Sequence, residues 1–340
     1  MGRFYRGVAR GFCWKGCFGG GFLCGFVDPK DGSFSGNDLA FIYPDFKTVL
    51  RGQFKNGLLV KGQICSLIGS KCEKGIFIPT FTKPEGQVYE YEEPSKKVMA
   101  KNPLIAEPWE TRHVYVKESN LPQGGEGLFA KESMTKGSLL AFYNGIRLNT
   151  ASVLLEQRYG HSDYRCRLNA ETDLDLPKGF ESLGKYCATL AHKANHSFES
   201  NCEWILFEHP RFGLIRGIRA TYDVPQDAEI LVNYSINLAD SPEWYRILWI
   251  RNQRDKGVSD ATIKRLVARY EENSCKKVEI PDSEELVIPE PHGLQNIDDI
   301  PEDSEIEQNT IKAQIIELQQ SKKKPEIDEE DMLPKVEEIV

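Results

Sequence analysis

Turn pairs that separate short apolar runs are the feature that most constrains the fold of this chain. Within residues 1–62, which are rich in glycine and aromatic residues, the pairs are Asp31-Gly32, Pro44-Asp45 and Asn56-Gly57. Turn pairs flanked by alternating apolar residues are typical of β-hairpins. A single short hairpin is too small to bury its own apolar face, so a recurring pattern predicts stacked hairpins. The alternative is an irregular, glycine-rich β domain, and both interpretations predict β-structure.

The second and third turns carry a repeat-like motif. Tyr43-Pro44-Asp45 is followed by Leu50-x-Gly52-x-Phe54-x-x-Gly57. This motif resembles the MORN repeat, a hairpin repeat, in two or three degenerate copies. MORN arrays in other proteins serve as scaffolds or lipid-associated plates. The resemblance therefore implies stacked hairpins for residues 1–62 and assigns no activity to them.

Short strands dominate the pattern that follows. Residues 63–110 contain strand-like runs broken by several prolines, which predicts a connecting β segment. Residues 111–255 contain many short apolar runs, with helical character predicted for 150–160 and a helix expected from Pro242 to about Arg251. The sequence therefore predicts a mainly β protein with an irregular second domain over residues 111–255.

Charge is distributed unevenly along the chain. The formal net charge is −8, yet residues 276–340 alone hold 19 acidic and 7 basic side chains. Residues 256–340 are therefore predicted to form a charged extension that is mostly disordered and ends in an acidic tail. The first part of this extension is amphipathic and is expected to be helical. Because no dense basic stripe occurs, direct binding to nucleic acid is not expected.

Cysteine usage and hydropathy exclude several classes of protein. The nine cysteines have no repeating spacing and no C-x-x-C pair, which favours reduced thiols in an intracellular protein over a disulfide scaffold or a metal centre. No run of about 18 apolar residues occurs, so a membrane span is not expected. Attachment to a membrane surface is not expected either, because the repeats show no basic amphipathic face. The first residues also lack the apolar run of a signal peptide.

A compact polar stretch lies between apolar runs at Lys193-Ala194-Asn195-His196-Ser197-Phe198, with Asn201-Cys202 close behind. If it is buried, its polar groups must be hydrogen-bonded, because an unpaired buried group costs roughly 1–3 kcal/mol. Asparagine and histidine together offer both donors and acceptors for this purpose. The residues leave two alternatives open: the stretch ties strands together, or it holds a polar ligand.

Four motifs together resemble the SET domain of protein lysine methyltransferases. In chain order they are Gly125-Glu126-Gly127-Leu128-Phe129, Phe142-Tyr143-Asn144-Gly145, Asn195-His196-Ser197 with Asn201-Cys202, and Glu229-Ile230-Leu231-Val232-Asn233-Tyr234. Each motif is weak alone, whereas their order and spacing over residues 112–250 are specific. Two further motifs, His209-Pro210-Arg211-Phe212-Gly213 and Pro242-Glu243-Trp244-Tyr245, are similar to those of the MORN-repeat members of the family, which attach one methyl group to lysine.

The resemblance implies a fold and an activity. The fold is a SET domain of short strands whose C-terminal segment is threaded beneath a loop, as in a pseudoknot. The activity is transfer of a methyl group from S-adenosyl-L-methionine to a lysine of a histone tail or of a non-histone protein, without a metal. A nuclear and also cytoplasmic location and a monomeric state are expected with it.

The resemblance also implies roles for individual residues. The cofactor would contact backbone of Gly124, Gly125, Glu126 and Gly127, then Asn195 and His196, with Trp244 against the adenine. Tyr143, Tyr234 and His196 would be catalytic, the two tyrosine hydroxyls lying at the lysine nitrogen and the methyl group. Taken one at a time, the tyrosines and Trp244 also fit a role as ordinary core residues.

Three positions depart from the family pattern. Trp204 and Ile236 stand where the MORN-repeat members have tyrosines that line the lysine pocket, and Leu248 replaces an expected carboxylate. Loss of a ring and a hydroxyl at Ile236 predicts that methylation is no longer limited to one round. These departures keep a second hypothesis open, a catalytically weak SET-like scaffold that binds partners through its repeats. Rim positions of the peptide groove are assigned to Arg216 and Glu156.

Overall fold

An antiparallel meander forms the N-terminal layer of the protein, which the computed structural model describes over residues 3–5, 8–151, 162–238 and 241–271. A hairpin of β1 (Arg3–Tyr5) and β2 (Val8–Arg10) comes first. In the sheet that follows, each strand from β3 to β8 pairs with the next along the chain, and β9 pairs with β7. These strands are β3 (Phe12–Gly16), β4 (Phe22–Phe26), β5 (Gly36–Ile42), β6 (Thr48–Lys55), β7 (Leu58–Glu73), β8 (Ile76–Phe81) and β9 (Glu85–Tyr89).

The predicted turn pairs lie in the connections of this meander. Asp31-Gly32 lies between β4 and β5, Pro44-Asp45 between β5 and β6, and Asn56-Gly57 between β6 and β7. In the last of these, φ is 53° at Asn56 and 82° at Gly57, as a two-residue hairpin turn requires. The prediction of hairpins from the turn pairs is confirmed.

The sheet extends into the segment that the sequence assigned to a connection. Strand β7 runs without a break across residue 62, pairing with β6 through its first half and with β8 through its second half. The predicted boundary between residues 62 and 63 therefore falls inside a strand. Turn signals mark where strands end, whereas one strand shared by two neighbours has no turn at the point of exchange.

Short strands in three small sheets form the second layer. Strands β10 and β11 pair with each other, β13 to β15 form a sheet of order β13-β15-β14, and the largest sheet has the order β12-β18-β17-β19-β16. Their bounds are β10 (Val114–Glu118), β11 (Glu126–Ala130), β12 (Leu139–Tyr143), β13 (Ile146–Asn149), β14 (Cys166–Arg167), β15 (Thr172–Asp175), β16 (Asn195–His196), β17 (Cys202–His209), β18 (Gly213–Ala220) and β19 (Leu231–Val232).

Strand β19 lies between two strands that are neighbours along the chain. It pairs in parallel with β16 through Asn195 and His196, and with β17 through Cys202. The connection between β16 and β17 also contacts it, since the Ser197 amide donates to the Val232 carbonyl at 3.0 Å. The connection thus crosses β19, and the threaded segment implied by the resemblance is present.

Helices are few in the described part of the chain. They are α1 (Glu110–His113), α2 (Glu243–Asp255) and α3 (Asp260–Glu271), with a 3-10 turn at Ala191–Lys193. Helices α2 and α3 lie where the sequence predicted them, and Ile263 and Val267 of α3 pack on Ile250 of α2. The helix predicted for 150–160 and the acidic tail fall almost wholly outside the described residues. Among those described, no helix has the length and apolar character needed to cross a membrane.

A buried carboxylate joins the two layers. Glu107 accepts hydrogen bonds from the Tyr43 hydroxyl of the N-terminal sheet at 2.5 Å and from the Trp109 and Glu110 amides at 2.5 and 3.0 Å. The His209 ring of β17 lies 3.3 Å away on the other side. Burial opposes ionisation of Glu107, but the hydrogen bonds from His209 and Tyr43 outweigh it and lower the pKa of the carboxyl.

Replacing Glu107 by alanine should destabilise the protein by about 3 kcal/mol or more, because the groups that it satisfies would stay buried without a partner. Denaturant unfolding followed by circular dichroism measures the change. Glu93→Ala, at an exposed neighbouring position, serves as the control and should change stability by less than about 0.5 kcal/mol. Equal stabilities of the two variants would contradict a structural role for Glu107.

Candidate active site

The glycine-rich segment between β10 and β11 folds back on itself as a tight turn. The Ser119 amide donates to the Gly125 carbonyl at 2.8 Å, and Gly125 has φ of 58°. A Cβ at Gly124 would lie 2.5 Å from the Ser119 hydroxyl, and one at Gly127 would lie 2.5 Å from the Glu229 carboxylate. Side chains at these two glycines would therefore force the segment apart.

The polar stretch is tied directly to this segment. The Asn195 side-chain amide lies 3.1 Å from the Gly124 carbonyl and 3.2 Å from the Glu126 carbonyl. Lys193 forms a 2.5 Å ion pair with the Glu126 carboxylate, which is half exposed. The first of the two alternatives for the stretch, a tie between chain segments, is thus correct for Asn195 and Lys193.

His196 presents a hydrogen-bonding atom that the described residues do not satisfy. Its Nδ1 accepts from the Tyr234 amide at 3.1 Å, and burial lowers the pKa of the ring to about 4. The neutral ring therefore carries its proton on Nε2. Nε2 is buried and has no hydrogen-bond partner among the described residues. This donor is available to a bound polar group.

Aromatic rings surround His196. Ring centroids lie 4.4 Å away for Phe198, 4.8 Å for Tyr245, 5.2 Å for Tyr234 and 6.1 Å for Trp244. Trp244 is the second residue of α2 and is half-buried, so part of its ring is accessible. A flat aromatic surface beside a buried donor and a glycine-rich segment fits a ligand with a planar ring and polar ends, as S-adenosyl-L-methionine has.

Both predicted catalytic tyrosines direct their hydroxyl protons at backbone carbonyls. Tyr234 donates to the Ala194 carbonyl at 2.9 Å, and Tyr143 donates to the Tyr164 carbonyl. Burial raises the pKa of each phenol well above its ordinary value, so both stay protonated at neutral pH. Each hydroxyl then has lone pairs left to accept a hydrogen bond from another group.

Three of the four predicted lysine-pocket residues come together. Tyr143, Trp204 and Tyr234 belong to one apolar cluster, and the rings of Tyr143 and Trp204 meet edge to face at 5.8 Å. Ile236 is half-buried and does not belong to this cluster. Ile236, the position on which the predicted product specificity depends, therefore lies outside the packed part of the pocket.

The remaining predicted positions are less closely tied to the pocket. Leu248 is half-buried on α2. The Arg216 guanidinium donates to the Arg167 carbonyl at 2.7 Å, which fixes it between β18 and β14. Glu156 lies outside the described residues. A position at the rim of a peptide groove stays a prediction for both Arg216 and Glu156.

Two residues that contact the site were not singled out from the sequence. Tyr164 acts through its carbonyl, which receives the Tyr143 hydroxyl, and a backbone carbonyl carries no signal in a sequence. Glu229 contacts both the glycine-rich segment and Asn195 through its side chain. It belongs to a motif that the sequence did identify, so its position was visible although its contacts were not.

Comparisons with known proteins match two parts of the chain to protein families. Residues 4–78 match the family described as Histone H3 K4-specific methyltransferase SET7 N-terminal, and residues 125–235 match the SET domain. The chain is 34% identical over 256 residues to the histone-lysine N-methyltransferase SETD7 of Halocynthia roretzi. That alignment covers 72% of this chain, and the chain spans 66% of the length of that relative.

A solved structure, an active polycomb repressive complex 2 in the basal state, contains a chain with 22% identity over 36% of this chain and 15% of its own length. The TM-score of that match is 0.29, which carries no argument about fold or function.

The ring of His196 should titrate near pH 4 and carry its proton on Nε2 at neutral pH. Because this pKa is depressed from the usual value of about 6.5, the stability that neutral His196 contributes is complete above pH 6.5 and is lost as pH falls towards 4. Nitrogen NMR of the histidine rings, assigned with His196→Asn, measures both the pKa and the tautomer.

Denaturant unfolding at pH 7 and pH 5 checks the same linkage. Wild-type protein should lose about 1.4 kcal/mol more per pH unit below 6.5 than His196→Asn does. A ring pKa above 6, or the same pH dependence in both proteins, would contradict the burial of a neutral His196.

Proposed function

Since this chain is a SET-domain protein with a SET7-type N-terminal domain, we propose that it is an S-adenosyl-L-methionine-dependent protein-lysine N-methyltransferase. The observation that supports this most directly is the pair of buried tyrosine hydroxyls, Tyr143 and Tyr234, whose protons are committed to backbone carbonyls. They lie in an apolar cluster beside His196, whose Nε2 has no partner in the described part of the chain.

The residues around His196 would hold the cofactor. The segment Gly124–Gly127 would bind its methionine end, the Nε2 proton of His196 would donate to it, and Trp244 would lie against the adenine. When bound, the cofactor supplies an electrophilic methyl group on a positively charged sulfur. Asn195 has a supporting role in this proposal, because its amide protons already bind the glycine-rich segment.

The two tyrosines would orient the lysine amine. A hydroxyl whose own proton is donated elsewhere can only accept, so Tyr143 and Tyr234 would each take an N–H of the amine and turn its lone pair towards the methyl group. Neither phenol would act as the base, since burial raises the pKa of both. Burial of the amine in an apolar pocket lowers its own pKa and favours the neutral nucleophile.

A lysine of a histone tail or of another nuclear protein is the proposed substrate. The printed name of the relative from Halocynthia roretzi, a histone-lysine N-methyltransferase, supports this substrate class. The alternative, a catalytically weak SET-like scaffold that binds partners through its repeats, is favoured by three departures from the family pattern, Trp204, Ile236 and Leu248.

Tyr234→Phe should lower the rate of methyl transfer by about a hundredfold, because the amine loses one of the groups that orient it. Binding of S-adenosylhomocysteine should change little. Labelled S-adenosyl-L-methionine with histone-tail peptides measures transfer, and calorimetry measures binding. Tyr115→Phe is the matched control, since it also removes a hydroxyl hydrogen bond, at 2.8 Å to Asp227, away from the site.

The same assay distinguishes the methyltransferase hypothesis from the scaffold hypothesis. Wild-type protein that binds S-adenosylhomocysteine, yet transfers no methyl group to any lysine peptide or to proteins of a cell extract, would exclude the enzyme. Full activity of Tyr234→Phe would be consistent with a methyltransferase and would contradict the role proposed for Tyr234.

The wild-type enzyme should carry methylation beyond the first round. At Ile236 the pocket lacks the ring and hydroxyl that the MORN-repeat members place there, so a methylated amine has more room to turn. Ile236→Tyr should restore a predominantly monomethylated product. Mass spectrometry of peptides after long incubation measures the distribution, and strictly monomethylated product from the wild type would refute the prediction.

A further inference from the structure

We propose that Glu229 is a positioning residue for the cofactor site. Its carboxylate holds the glycine-rich segment against Asn195, in the arrangement that binds the cofactor. The inference rests on the proposed function only in naming the ligand; the contacts that carry it belong to the protein alone.

The Glu229 carboxylate is buried, and both of its oxygens accept hydrogen bonds. The residue is 6% exposed. Its Oε1 accepts from the Ser119 hydroxyl at 2.6 Å, and its Oε2 accepts from the Asn120 amide at 2.8 Å. Oε1 also lies 3.2 Å from the Asn195 side-chain amide. One carboxylate therefore bonds to both the start of the glycine-rich segment and the polar stretch.

The far end of the segment closes on the same group. Gly127 packs directly against the carboxylate, since a Cβ at this position would come within 2.5 Å of the Glu229 Oε1 and displace it. Asn195 completes the arrangement, since its amide also reaches the carbonyls of Gly124 and Glu126. The segment thus wraps around the carboxylate, which orients the carbonyl and amide groups of the segment.

Threading of the chain delivers Glu229 to this place. The residue lies just before β19, and its own carbonyl accepts from the Asn201 side chain at 2.8 Å. Asn201 also accepts from the Leu231 amide at 2.9 Å, so the crossing loop fixes the backbone on both sides of Ile230. The position of the carboxylate is therefore set by the loop that crosses β19, and not by the glycine-rich turn that the carboxylate organises.

Glutamine at position 229 removes the negative charge and puts an NH2 group in place of one oxygen. With its remaining oxygen towards Ser119 and Asn195, the new NH2 group would face the Asn120 amide, donor against donor. Charge-assisted hydrogen bonds are about twice as strong as neutral ones, so all three contacts weaken. The segment should then lose its fixed geometry while the rest of the fold remains.

The experiment measures S-adenosylhomocysteine affinity by calorimetry for wild-type protein, Glu229→Gln and Glu92→Gln. Glu92 is the matched control, because it is a buried carboxylate that also accepts from a backbone amide, that of Asn102, and from side chains, but in another part of the fold. We expect Glu229→Gln to weaken binding about tenfold or more. Glu92→Gln should lower the melting temperature without changing affinity.

Hydrogen–deuterium exchange of residues 119–127 in the ligand-free protein provides a second readout. Exchange there should rise in Glu229→Gln and stay unchanged in Glu92→Gln. Ser119→Ala, which removes one contact of the carboxylate together with the acceptor of the Leu121 amide, should shift both readouts in the same direction. It keeps the test decisive if Glu229→Gln does not fold.

Three outcomes would overturn the positioning role: unchanged affinity in folded Glu229→Gln and Ser119→Ala, an equal loss in Glu92→Gln, or no binding of S-adenosylhomocysteine by the wild type. A result that rejects the proposed methyltransferase function differs from one that rejects the role of Glu229. Wild-type protein that binds S-adenosylhomocysteine tightly and loses that affinity in Glu229→Gln, yet methylates nothing, would support Glu229 and reject the transferase.

Discussion

The passage of β19 between β16 and β17 is the constraint on which the site depends. Leu231 and Val232 pair with β16, Val232 also pairs with β17, and the loop that joins those two strands crosses β19. Backbone held on two edges cannot shift along one partner without breaking its bonds to the other. Glu229 and Tyr234, each two residues from an end of β19, are therefore held in place by this strand.

A second constraint acts from the junction of the two layers. Glu107 and Glu110 both lie in or beside the short helix α1, and both are fully buried. Glu110 accepts from the amides of Phe142, at 2.6 Å, and Leu190, at 3.0 Å. The first amide immediately precedes Tyr143, and the second precedes the polar stretch. Glu107 thus anchors the N-terminal sheet, and Glu110, three residues further on, orients both walls of the pocket, so α1 connects the hairpin layer to the site.

The polar groups of the pocket follow one rule. Wherever a buried hydroxyl or amide has a proton to give, a carbonyl or carboxylate of another segment receives it, as at Tyr143, Tyr234 and Asn195. Of the buried atoms of these three residues and His196, those left for a ligand in the described part of the chain are lone pairs on the two tyrosines and the Nε2 proton of His196. Groups whose other hydrogen bonds are already made are oriented before the ligand arrives.

The sequence by itself determined the hairpins and the helices α2 and α3, and it identified the segments that meet at the candidate site. Turn pairs and hydrophobic spacing act between neighbours in the chain, so they can be interpreted without the fold. The order of motifs such as Phe142-Tyr143-Asn144-Gly145 and Asn195-His196-Ser197 then indicated the family and the parts of its site.

Tertiary structure alone decided how those parts are oriented. The sequence could not show that β7 continues past residue 62, that the Tyr164 carbonyl receives the Tyr143 hydroxyl, or that Glu229 lies inside the glycine-rich segment. Each of these depends on which distant backbone or side-chain group ends up within hydrogen-bonding distance. Such distances are set only when the threaded strand and the two layers have packed, because hydrogen bonds between remote segments leave no pattern in the residues around either partner.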